Sequence, residues 1–506
     1  MTETFDLLIV GGGINGVGIA RDAAGRGLKV LLCEQGDLAG ETSSASSKMI
    51  HGGLRYLEHY EFRLVRESLA EREVLLRIAP HLVRPTEFVL PHGAGSRPRW
   101  MVRAGLFLYD GLGGARTLPA AHAVDLRRGP LGVPLNESAR HGFVYSDCRV
   151  DDARLVIANA RDAAARGADI ITRTALAEAR RQGGAWRAVL QREDGARHEI
   201  AARILVNAAG PWTLDVARRA GLATRATLRL IKGSHIVVPR LYAGEHAYLL
   251  QNDDRRVVFV IPFERDFTLI GTTELAFSGD PASAGPSPEE VEYLCRAVGR
   301  WFRTAPDPAD IVWAFSGVRP LYDDASGNLA AVSRDYVFEL DEAGAPALSI
   351  FGGKLTTYRR LAEHALARLA RYLPQAGPAW TADTPLSGGA SFSPEIGEEL
   401  QHQCAFLDVA TAERLAGGYG SEASEIFAER EPGRDLGHGL YEAEVDWLIE
   451  KEWARTAEDI LWRRSKLGLR FSAAETQALR NYLARPEPAP RPGAAAAAAA
   501  PQTPDR

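Results

Sequence analysis

The first 34 residues alternate apolar runs with a glycine-rich turn and a helical pattern. DLLIV at 6–10 predicts a short buried strand, and the spacing over 15–26 predicts a helix that stops at Gly27. KVLLCE at 29–34 predicts a second strand. Strand, helix and strand in this order are typical of a βαβ unit, so the chain is expected to open with an α/β domain.

The hydrophobic pattern changes twice further along the chain. Helices are predicted over 60–79 and 152–166, and RILVNAAG at 203–210 predicts another buried strand that ends in glycine. From about 226 to 345 the chain instead repeats strand-like runs between polar turns, including RLIKGSHIVVP, RRVVFVIPF, FTLIGTTE, IVWAFSGVRPL and YVFEL. This region predicts a mostly antiparallel sheet inserted into the α/β domain, and SIFGG at 349–353 returns to the first pattern.

The predicted fold class is therefore α/β plus antiparallel β, followed by helices. With 506 residues the chain is too long for a single core. The expected parts are a discontinuous α/β domain at 1–80, 145–225 and 346–375, an inserted domain at 81–144 and 226–345, a linker at 376–393, a helical domain at 394–484 and an Ala/Pro-rich tail at 485–506 that is expected to be disordered.

Composition excludes several classes of protein. The formal net charge is −5, from 60 basic and 65 acidic residues, which argues against a nucleic-acid-binding protein. The four cysteines form no C-x-x-C pair, so neither a disulfide framework nor a metal site is expected. The N-terminus lacks the basic region of a signal peptide, and no apolar run is long enough for a transmembrane helix.

GGGINGVG at 11–18 contains the dinucleotide-binding spacing G-x-G-x-x-G at Gly11, Gly13 and Gly16. A predicted strand precedes it, a helix follows it, and Glu34 ends the next strand 18 residues after Gly16. The glycines permit the tight turn and the close approach of a pyrophosphate to the helix N-terminus, while Glu34 can accept a hydrogen bond from a ribose hydroxyl. NAD and FAD suit this motif equally well.

The next segment, TSSASSKMIHGGLRYLEHYEFRLV at 42–65, favours FAD, because a nicotinamide dehydrogenase usually continues through regular βα repeats. Together with RLIKGSHIVVP, SGVRPL and FGGKLTTYR, this segment closely resembles the FAD-dependent glycerol-3-phosphate dehydrogenases, with the aerobic respiratory enzymes of bacteria as the nearest likeness. The resemblance covers nearly all of the chain except the alanine-rich tail.

The resemblance implies a glutathione-reductase-like, Rossmann-type FAD domain, an antiparallel substrate domain and a C-terminal helical domain. It also implies oxidation of sn-glycerol 3-phosphate to dihydroxyacetone phosphate by hydride transfer from C2 to the N5 of FAD. The electrons are expected to pass to ubiquinone or another membrane quinone, from a homodimer attached peripherally to the cytoplasmic face of the cell membrane. No cysteine suits a covalent flavin link, so the FAD is expected to be non-covalent.

The cofactor-binding residues that the motifs imply fall into five segments of the chain. The serine loop is expected to line the pyrophosphate and ribityl chain, and Lys354 is expected to begin a helix that faces the reduced flavin. The full set is Gly11, Gly13, Ile14, Asn15, Gly16, Glu34, Ser43, Ser44, Ser46, Ser47, Lys48, Gly52, Gly53, Ala209, Gly210, Gly353, Lys354, Leu355 and Thr356.

A phosphate-bearing substrate needs fixed cationic donors, and a guanidinium supplies two in parallel. The expected substrate-binding residues are Arg55, Tyr56, Arg319, Arg334 and Lys354. The proton of the oxidised hydroxyl needs an acceptor, and histidine is the first candidate.

Two histidines lie in the matched motifs, His235 and His51, and His235 is preferred because its strand is expected to cover the flavin. Arg319 could instead polarise the hydroxyl group.

Three questions stay open at the level of the sequence. RPRWMVRAGLFLYD at 97–110 suits either an anionic membrane surface or a helix packed on the protein's own core. An oxidase that passes electrons to O₂, acting on glycerol 3-phosphate or on an amino or N-methyl acid, is the alternative within flavoenzymes. An FAD-binding scaffold without activity is the alternative from another class.

Overall fold

A computed structural model describes residues 4–93, 96–114, 116–254, 256–323 and 335–485. The predicted substrate residue Arg334 and residues 486–506 of the predicted tail lie outside these ranges. The strands are β1 Thr4–Val10, β2 Val30–Cys33, β3 Met49–Ile50, β4 Val83–His92, β5 His122–Asp125, β6 His141–Val150, β7 Asp169–Ile171, β8 Thr174–Gln182, β9 Ala185–Arg192, β10 Arg197–Asn207, β11 Thr227–Pro239, β12 Ala247–Gln251, β13 Val257–Phe263, β14 Phe267–Gly271, β15 Leu275–Phe277, β16 Trp313–Asp323, β17 Val337–Asp341 and β18 Ala347–Phe351. The helices are α1 Ile14–Gly25, α2 Phe62–Ile78, α3 Arg99–Leu112, α4 Asp152–Ala165, α5 Thr213–Arg219, α6 Pro288–Gly299, α7 Tyr358–Leu369, α8 Ile396–Gln403, α9 Val409–Tyr419, α10 Glu425–Ala428, α11 Glu442–Glu452 and α12 Ala473–Leu483.

The first sheet has the strand order β17-β18-β10-β1-β2-β7, with β9 and β8 added beside β10. β1 runs parallel to both β2 and β10, and β18 runs parallel to β10. Leu7, Leu8 and Ile9 of β1 are fully buried, as is typical of a parallel strand covered on both faces. The predicted βαβ opening and the α/β fold class are confirmed.

The second sheet is mostly antiparallel and contains β15-β11-β14-β13-β12-β4-β6-β3, with β16 beside β11 and β5 beside β6. Its exception is the parallel pair β12 and β4. β11 is a long strand near one end of this sheet and pairs with β14, β15 and β16. The expected antiparallel sheet between 226 and 345 is therefore present in this part of the chain.

One strand lies in a different sheet from the one that its sequence suggested. YVFEL was expected in the inserted sheet, but β17 pairs antiparallel with β18 at the edge of the first sheet. The reason is its position, because a short connection returns the chain directly from β17 into β18, so that the two form a hairpin. The limits of the predicted domains remain predictions.

The C-terminal helices α8–α12 surround a separate apolar core that includes Leu415, Leu448 and Ile460. Buried ion pairs join these helices to the first sheet's domain. One joins Arg464 Nη2 to Asp37 Oδ1 at 2.8 Å, and another joins the guanidinium of Arg154 to the carboxylate of Glu452. These contacts fix the helical domain against the loop that follows β2 and against α4.

The segment that was predicted as a linker is also packed. Trp380 Nε1 donates to the carbonyl of Asp22, and Arg21 Nη2 donates to the carbonyl of Thr384. Among the helices of the described ranges, none combines the length and hydropathy that are needed to cross a membrane.

Candidate functional site

A cavity of about 410 Å³ lies where four parallel strands of the first sheet end. The residues directly after β1, β2, β10 and β18 all line it: Gly11, Glu34, Ala208 and Gly352. Crevices at the carboxyl ends of the strands are the usual ligand sites of open α/β sheets. The second sheet supplies the opposite wall through β11, β13 and β16.

The glycine turn at 11–16 has the geometry that a phosphate site needs. Gly11 has a φ of +115°, which favours glycine, and a Cβ on Gly16 would lie 1.9 Å from the carbonyl oxygen of Gly11. Helix α1 begins at Ile14, and no side chain of its N-cap residue Gly13 covers its first turn. Gly11, Gly13 and Ile14 line the cavity, while Gly16 allows the close packing of helix and strand.

Glu34 stands beside this turn at the end of β2. Its carboxylate accepts hydrogen bonds from the backbone N–H of Gly12 at 2.6 Å and of Gly36 at 2.8 Å. Burial raises the pKa of Glu34, and the two backbone bonds act in the opposite direction. A ribose hydroxyl that bonded to this carboxylate would further offset its burial.

The serine loop divides into residues that reach the cavity and residues that do not. Ser43, Ser46 and Ser47 line it, and the Oγ of Ser43 accepts a hydrogen bond from the N–H of Ile14 at 3.0 Å. Ser44 does not line it, because its hydroxyl is turned to the carbonyl of Glu41.

Lys48 was expected near the pyrophosphate and also lies away from the cavity. Its Nζ is buried 2.7 Å from Asp152 Oδ1 and donates to the carbonyl of Ser44 at 2.9 Å. The ammonium group thus satisfies a buried carboxylate, and burial lowers the pKa of Lys48. Asp152 also accepts a hydrogen bond from Ser46 Oγ at 2.7 Å, so the ion pair of Lys48 and Asp152 fixes the serine loop in place.

Of the Gly-Gly pair that follows, only Gly53 lines the cavity. Gly53 has a φ of 77°, while Gly52 faces the interior, where its N–H donates to the hydroxyl of Tyr109 at 2.8 Å. A Cβ on Gly52 would lie within 2.7 Å of Leu69 and Tyr109, which explains the glycine without a ligand.

Three glycines of the second sheet lie around His235 in tightly packed positions. Gly233 and Gly317 stand opposite each other on β11 and β16, and Gly271 pairs with His235 itself. A Cβ on Gly271 would lie 2.0 Å from the His235 ring, so no other residue fits there. A Cβ on Gly233 would lie 2.6 Å from Thr272 Oγ1, and a Cβ on Gly317 would lie 2.6 Å from the carbonyl oxygen of Ala45. The protein's own packing therefore requires glycine at both positions where they line the cavity.

His235 is buried, and its ring stacks on Phe315 with centroids 5.0 Å apart. Its Nε2 lies 2.9 Å from the Oγ of Ser47, whereas its Nδ1 has no hydrogen-bond partner among the described residues. Burial, together with the charges of Lys48 and Arg319, lowers the pKa of His235 to about 3. The ring is therefore neutral at physiological pH.

The expected cations meet on one wall of the cavity. Arg55 and Arg319 are both bound to Glu274, with Nη1 of Arg55 3.5 Å from Oε2 and Nη2 of Arg319 3.1 Å from Oε1. Lys354 Nζ lies 3.8 Å from the centre of the Tyr56 ring. Glu274 was not found from the sequence, since it meets Arg319 through the pairing of β11 with β15 and β16 and meets Arg55 through a 3₁₀ turn from a distant part of the chain.

Lys354 and Arg55 were both predicted to stand at the start of a helix, and in the structure each helix begins at least one turn later. Lys354 has an extended backbone before the 3₁₀ turn Leu355–Thr357, so helix α7 begins only at Tyr358. Arg55 and Tyr56 lie in the 3₁₀ turn Leu54–His59, which is separated from α2 by a left-handed residue at Tyr60. Glycines before each turn, at Gly53 and Gly353, both have positive φ and redirect the chain.

The remaining predicted residues also line the cavity. Thr356 Oγ1 exchanges hydrogen bonds with the backbone of His51, and Asn15 Nδ2 donates to the carbonyl of Gly352 at 3.1 Å. These are joined by Ala209, Gly210, Gly353 and Leu355.

The site thus places a helix N-terminus, a carboxylate that can accept from a ribose hydroxyl and the His235 region of the second sheet in one cavity, which fits a dinucleotide with an aromatic ring system.

Helix α3 carries an exposed apolar surface away from this cavity's interior. Trp100 is 71% exposed and Phe107 80% exposed, and Met101 and Leu108 are also exposed. Only Leu106 and Tyr109 of this helix are buried. Two side chains of this helix therefore pack on the protein's own core, as one of the two interpretations expects, and four apolar side chains face solvent.

Comparison with known proteins gives two family matches that cover most of the chain. Residues 6–359 match the model of FAD dependent oxidoreductases, and residues 379–484 match the C-terminal domain of alpha-glycerophosphate oxidase.

Three similar individual proteins carry two different descriptions. A glycerol-3-phosphate dehydrogenase of Pseudomonas aeruginosa is 53% identical, with 96% of each chain covered. A D-erythritol 1-phosphate dehydrogenase of Brucella abortus is 49% identical over 94% of this chain and 97% of its own. The crystal structure of a glycerol-3-phosphate dehydrogenase from Bacillus halodurans complexed with FAD has a TM-score of 0.73 at 26% identity, over 95% of this chain and 94% of that one.

Proposed function

We infer that this chain, which belongs to the family of FAD dependent oxidoreductases, is an FAD-dependent dehydrogenase that oxidises sn-glycerol 3-phosphate to dihydroxyacetone phosphate. The main observation behind this inference is that Arg55 and Arg319 lie together on the wall of one cavity, and that the glycine turn at 11–16 lines the same cavity. The family match to the C-terminal domain of alpha-glycerophosphate oxidase supports the same substrate.

The residues of the first sheet suit non-covalent FAD. The N-terminus of α1 favours a negatively charged pyrophosphate, and Glu34 can accept from a ribose hydroxyl. The flavin, when bound, supplies the acceptor for the hydride that leaves C2 of the substrate. The cavity extends from the glycine turn to His235 on the second sheet, which leaves room for the ring system.

The substrate phosphate is assigned to the cations. Guanidinium groups bind phosphate oxygens through paired N–H donors, and Arg55 and Arg319 present theirs to the same part of the cavity. Lys354 and Tyr56 form the adjoining wall. Arg334 was predicted to join this set and lies outside the described residues.

His235 is the proposed acceptor of the hydroxyl proton. When Nε2–H donates to Ser47, Nδ1 carries the lone pair, and this buried atom has no partner among the described residues. Its pKa is low because the ring is buried near two cations, and a phosphate dianion beside Arg319 would offset one of them. Substrate binding is thus expected to strengthen His235 as a base. His51 also lines the cavity and stays the second candidate.

D-erythritol 1-phosphate is a second candidate substrate, because the relative of that description is almost as similar as the glycerol-3-phosphate dehydrogenase. The two substrates share a phosphate and a secondary hydroxyl group and differ by one hydroxymethylene unit. Measuring kcat/KM for both, with an artificial electron acceptor, decides between them. The proposal expects glycerol 3-phosphate to be preferred, and a preference for the tetritol phosphate would replace it.

Electrons are proposed to leave to a membrane quinone from a protein attached peripherally to the inner face of the cell membrane. The support is the surface of α3, where four exposed apolar side chains stand beside Arg99 and Arg103. Such a combination of aromatic and basic groups suits an anionic lipid surface. Assembly as a homodimer stays a prediction.

Formation of hydrogen peroxide during turnover would favour the oxidase alternative instead.

A further inference from the structure

The ring of His235 ends a row of aromatic side chains that begins in the C-terminal helical domain. Phe315 stacks on His235 with centroids 5.0 Å apart, and Trp313 lies 4.5 Å from Phe315. Trp462 in turn stacks on Trp313 at 4.7 Å. Phe315 pairs with His235 of β11, and Trp313 lies two residues before it on β16. Alternate residues of a strand share a face, so both rings stand on the face that carries His235.

Phe315 is the side chain through which this row acts on His235. On the other neighbouring strand the residue opposite His235 is Gly271, which offers only its backbone to the ring. The tilt of the ring is therefore set by Phe315 and by the hydrogen bond with Ser47. Phe315 is half-buried and stands on a strand that pairs only with β11 among the described strands, so its own rotamer needs the support that Trp313 gives.

Trp462 is itself held firmly. It belongs to a single π-helical turn, Asp459–Arg464, a rare form that occurs frequently at functional sites. Arg464 of the same turn binds Asp37, in the loop that follows β2, through two hydrogen bonds. A Cβ on Gly468 would lie 2.5 Å from the Trp462 ring, so the ring is also packed closely within its own domain. The far end of the row is thus fixed to two parts of the protein.

We propose that Trp462 is a positioning residue for His235, so that the C-terminal helical domain helps to shape the proton-accepting site from outside the cavity. The proposal rests on the proposed function, since it takes His235 as the acceptor of the hydroxyl proton. Of the described residues that line the cavity, His235 is the only member of the row. A base must lie within hydrogen-bonding reach of its proton, and a displacement of about 1 Å can reduce a rate about 100-fold.

The kinetic test follows reduction of the flavin by glycerol 3-phosphate in the anaerobic holoenzyme, which separates the chemical step from substrate binding. Trp462→Leu removes the aromatic face on which Trp313 stacks, so the limiting reduction rate should fall about tenfold while the dissociation constant of the substrate stays within about twofold. Trp462→Phe keeps an aromatic face and should recover most of the rate. The loss in Trp462→Leu should shrink between about pH 7 and about pH 9.5, because hydroxide can then accept the proton in place of a displaced base.

Phe406→Leu is the matched control. Phe406 is a partly exposed aromatic residue of the same helical domain, and its ring contacts are with Phe427 and Tyr441, away from the row. Its replacement should leave the reduction rate within about twofold of the wild-type value, since distant sites act independently. An equal loss of rate in Phe406→Leu and Trp462→Leu would overturn the proposal, because the effect would then belong to the domain and not to the row.

A second readout does not depend on turnover. In the holoenzyme with histidine isotope-labelled at Cε1, the nuclear magnetic resonance signal of His235 is the one that disappears in His235→Asn. Its chemical shift is sensitive to the ring current of Phe315, which stacks on it directly. The signal should move in Trp462→Leu and keep its place in Trp462→Phe and Phe406→Leu. An unmoved signal in Trp462→Leu overturns the proposal whatever the activity.

Failure of the proposed function is a separate outcome. If glycerol 3-phosphate does not reduce the flavin of the wild-type protein, that function is contradicted, and the His235 signal alone decides whether Trp462 positions the ring. If the wild-type flavin is reduced and the rate in Trp462→Leu is unchanged, the function stands and the positioning role is overturned.

Discussion

Nε2 of His235 and Oγ of Ser47 lie 2.9 Å apart, and this contact ties the serine loop to the centre of the second sheet. The position of Ser47 is fixed in turn, because its neighbours Ser46 and Lys48 both bind the buried carboxylate of Asp152. The orientation of the His235 ring therefore depends on a loop that belongs to the dinucleotide site. This relationship connects cofactor binding with the proposed proton acceptor.

Replacing Ser47 with alanine tests that connection. The variant leaves Nε2 of a buried ring without its partner, which costs about 1–3 kcal/mol and frees the ring to turn. We expect kcat to fall roughly tenfold while the flavin content stays at the wild-type level. Ser44→Ala, in the same loop but turned to the carbonyl of Glu41, should keep kcat within about twofold. Equal kcat values for the two variants would contradict the role of Ser47.

Arg319→Ala tests the assignment of the substrate phosphate. Truncating one member of a desolvated charge pair typically costs about 2–5 kcal/mol, so kcat/KM for glycerol 3-phosphate should fall at least about 100-fold. The absorbance spectrum should still show bound flavin, since Arg319 stands on the second sheet. Arg127, an exposed arginine paired with Asp125, is the control, and its alanine variant should behave as wild type. Full activity of Arg319→Ala would contradict the site.

The apolar surface of α3 predicts membrane binding that depends on two aromatic side chains. Burying each one in a lipid interface contributes up to about 1.5–3 kcal/mol, so the double variant Trp100→Ser, Phe107→Ser should bind anionic vesicles at least about tenfold more weakly. Co-sedimentation with vesicles measures this. The matched control replaces exposed Val133 and Val409 with serine and should bind as wild type. Unchanged vesicle binding by the double variant would contradict the proposal that α3 contacts the membrane.

His81 predicts a specific pH dependence of stability. Burial and three nearby arginines lower its pKa to about 3, whereas an unfolded histidine has a pKa near 6.5. The unfolded state therefore binds a proton that the folded state does not between those values, so the free energy of unfolding falls as the pH drops below about 6.5. At pH 5 this amounts to about 2 kcal/mol.

The measurement is the melting temperature at pH 7 and at pH 5. The decrease between the two should be smaller in His81→Gln than in the wild-type protein, because glutamine binds no proton in either state. The same decrease in both proteins would show that His81 is protonated in the folded state as well.

The features that the sequence predicts well are those set by local order along the chain. Gly11, Gly13 and Glu34 belong to one strand–turn–helix–strand unit, so their spacing alone predicts that they meet at one edge of the sheet. The confirmed α/β class and the inserted antiparallel sheet follow from hydrophobic periodicity in the same way.

Features that depend on side-chain direction or on distant strand pairing did not follow. Lys48 lies in a motif full of donors, yet a left-handed backbone with φ of 55° turns it to Asp152, more than a hundred residues later in the chain. Glu274 meets Arg319 through the pairing of β11 with β15 and β16, and it meets Arg55 only through the tertiary packing of a 3₁₀ turn more than two hundred residues earlier in the chain. Neither relationship leaves a signal in the local pattern of the sequence.

The central claim is that a phosphate-bearing alcohol reduces a flavin bound in this cavity. The most direct measurement is the visible spectrum of the purified protein before and after anaerobic addition of sn-glycerol 3-phosphate. The account predicts a yellow protein whose flavin absorbance bleaches on addition. A yellow protein that glycerol 3-phosphate leaves unbleached would contradict the substrate, and a colourless protein that FAD cannot reconstitute would contradict the account as a whole.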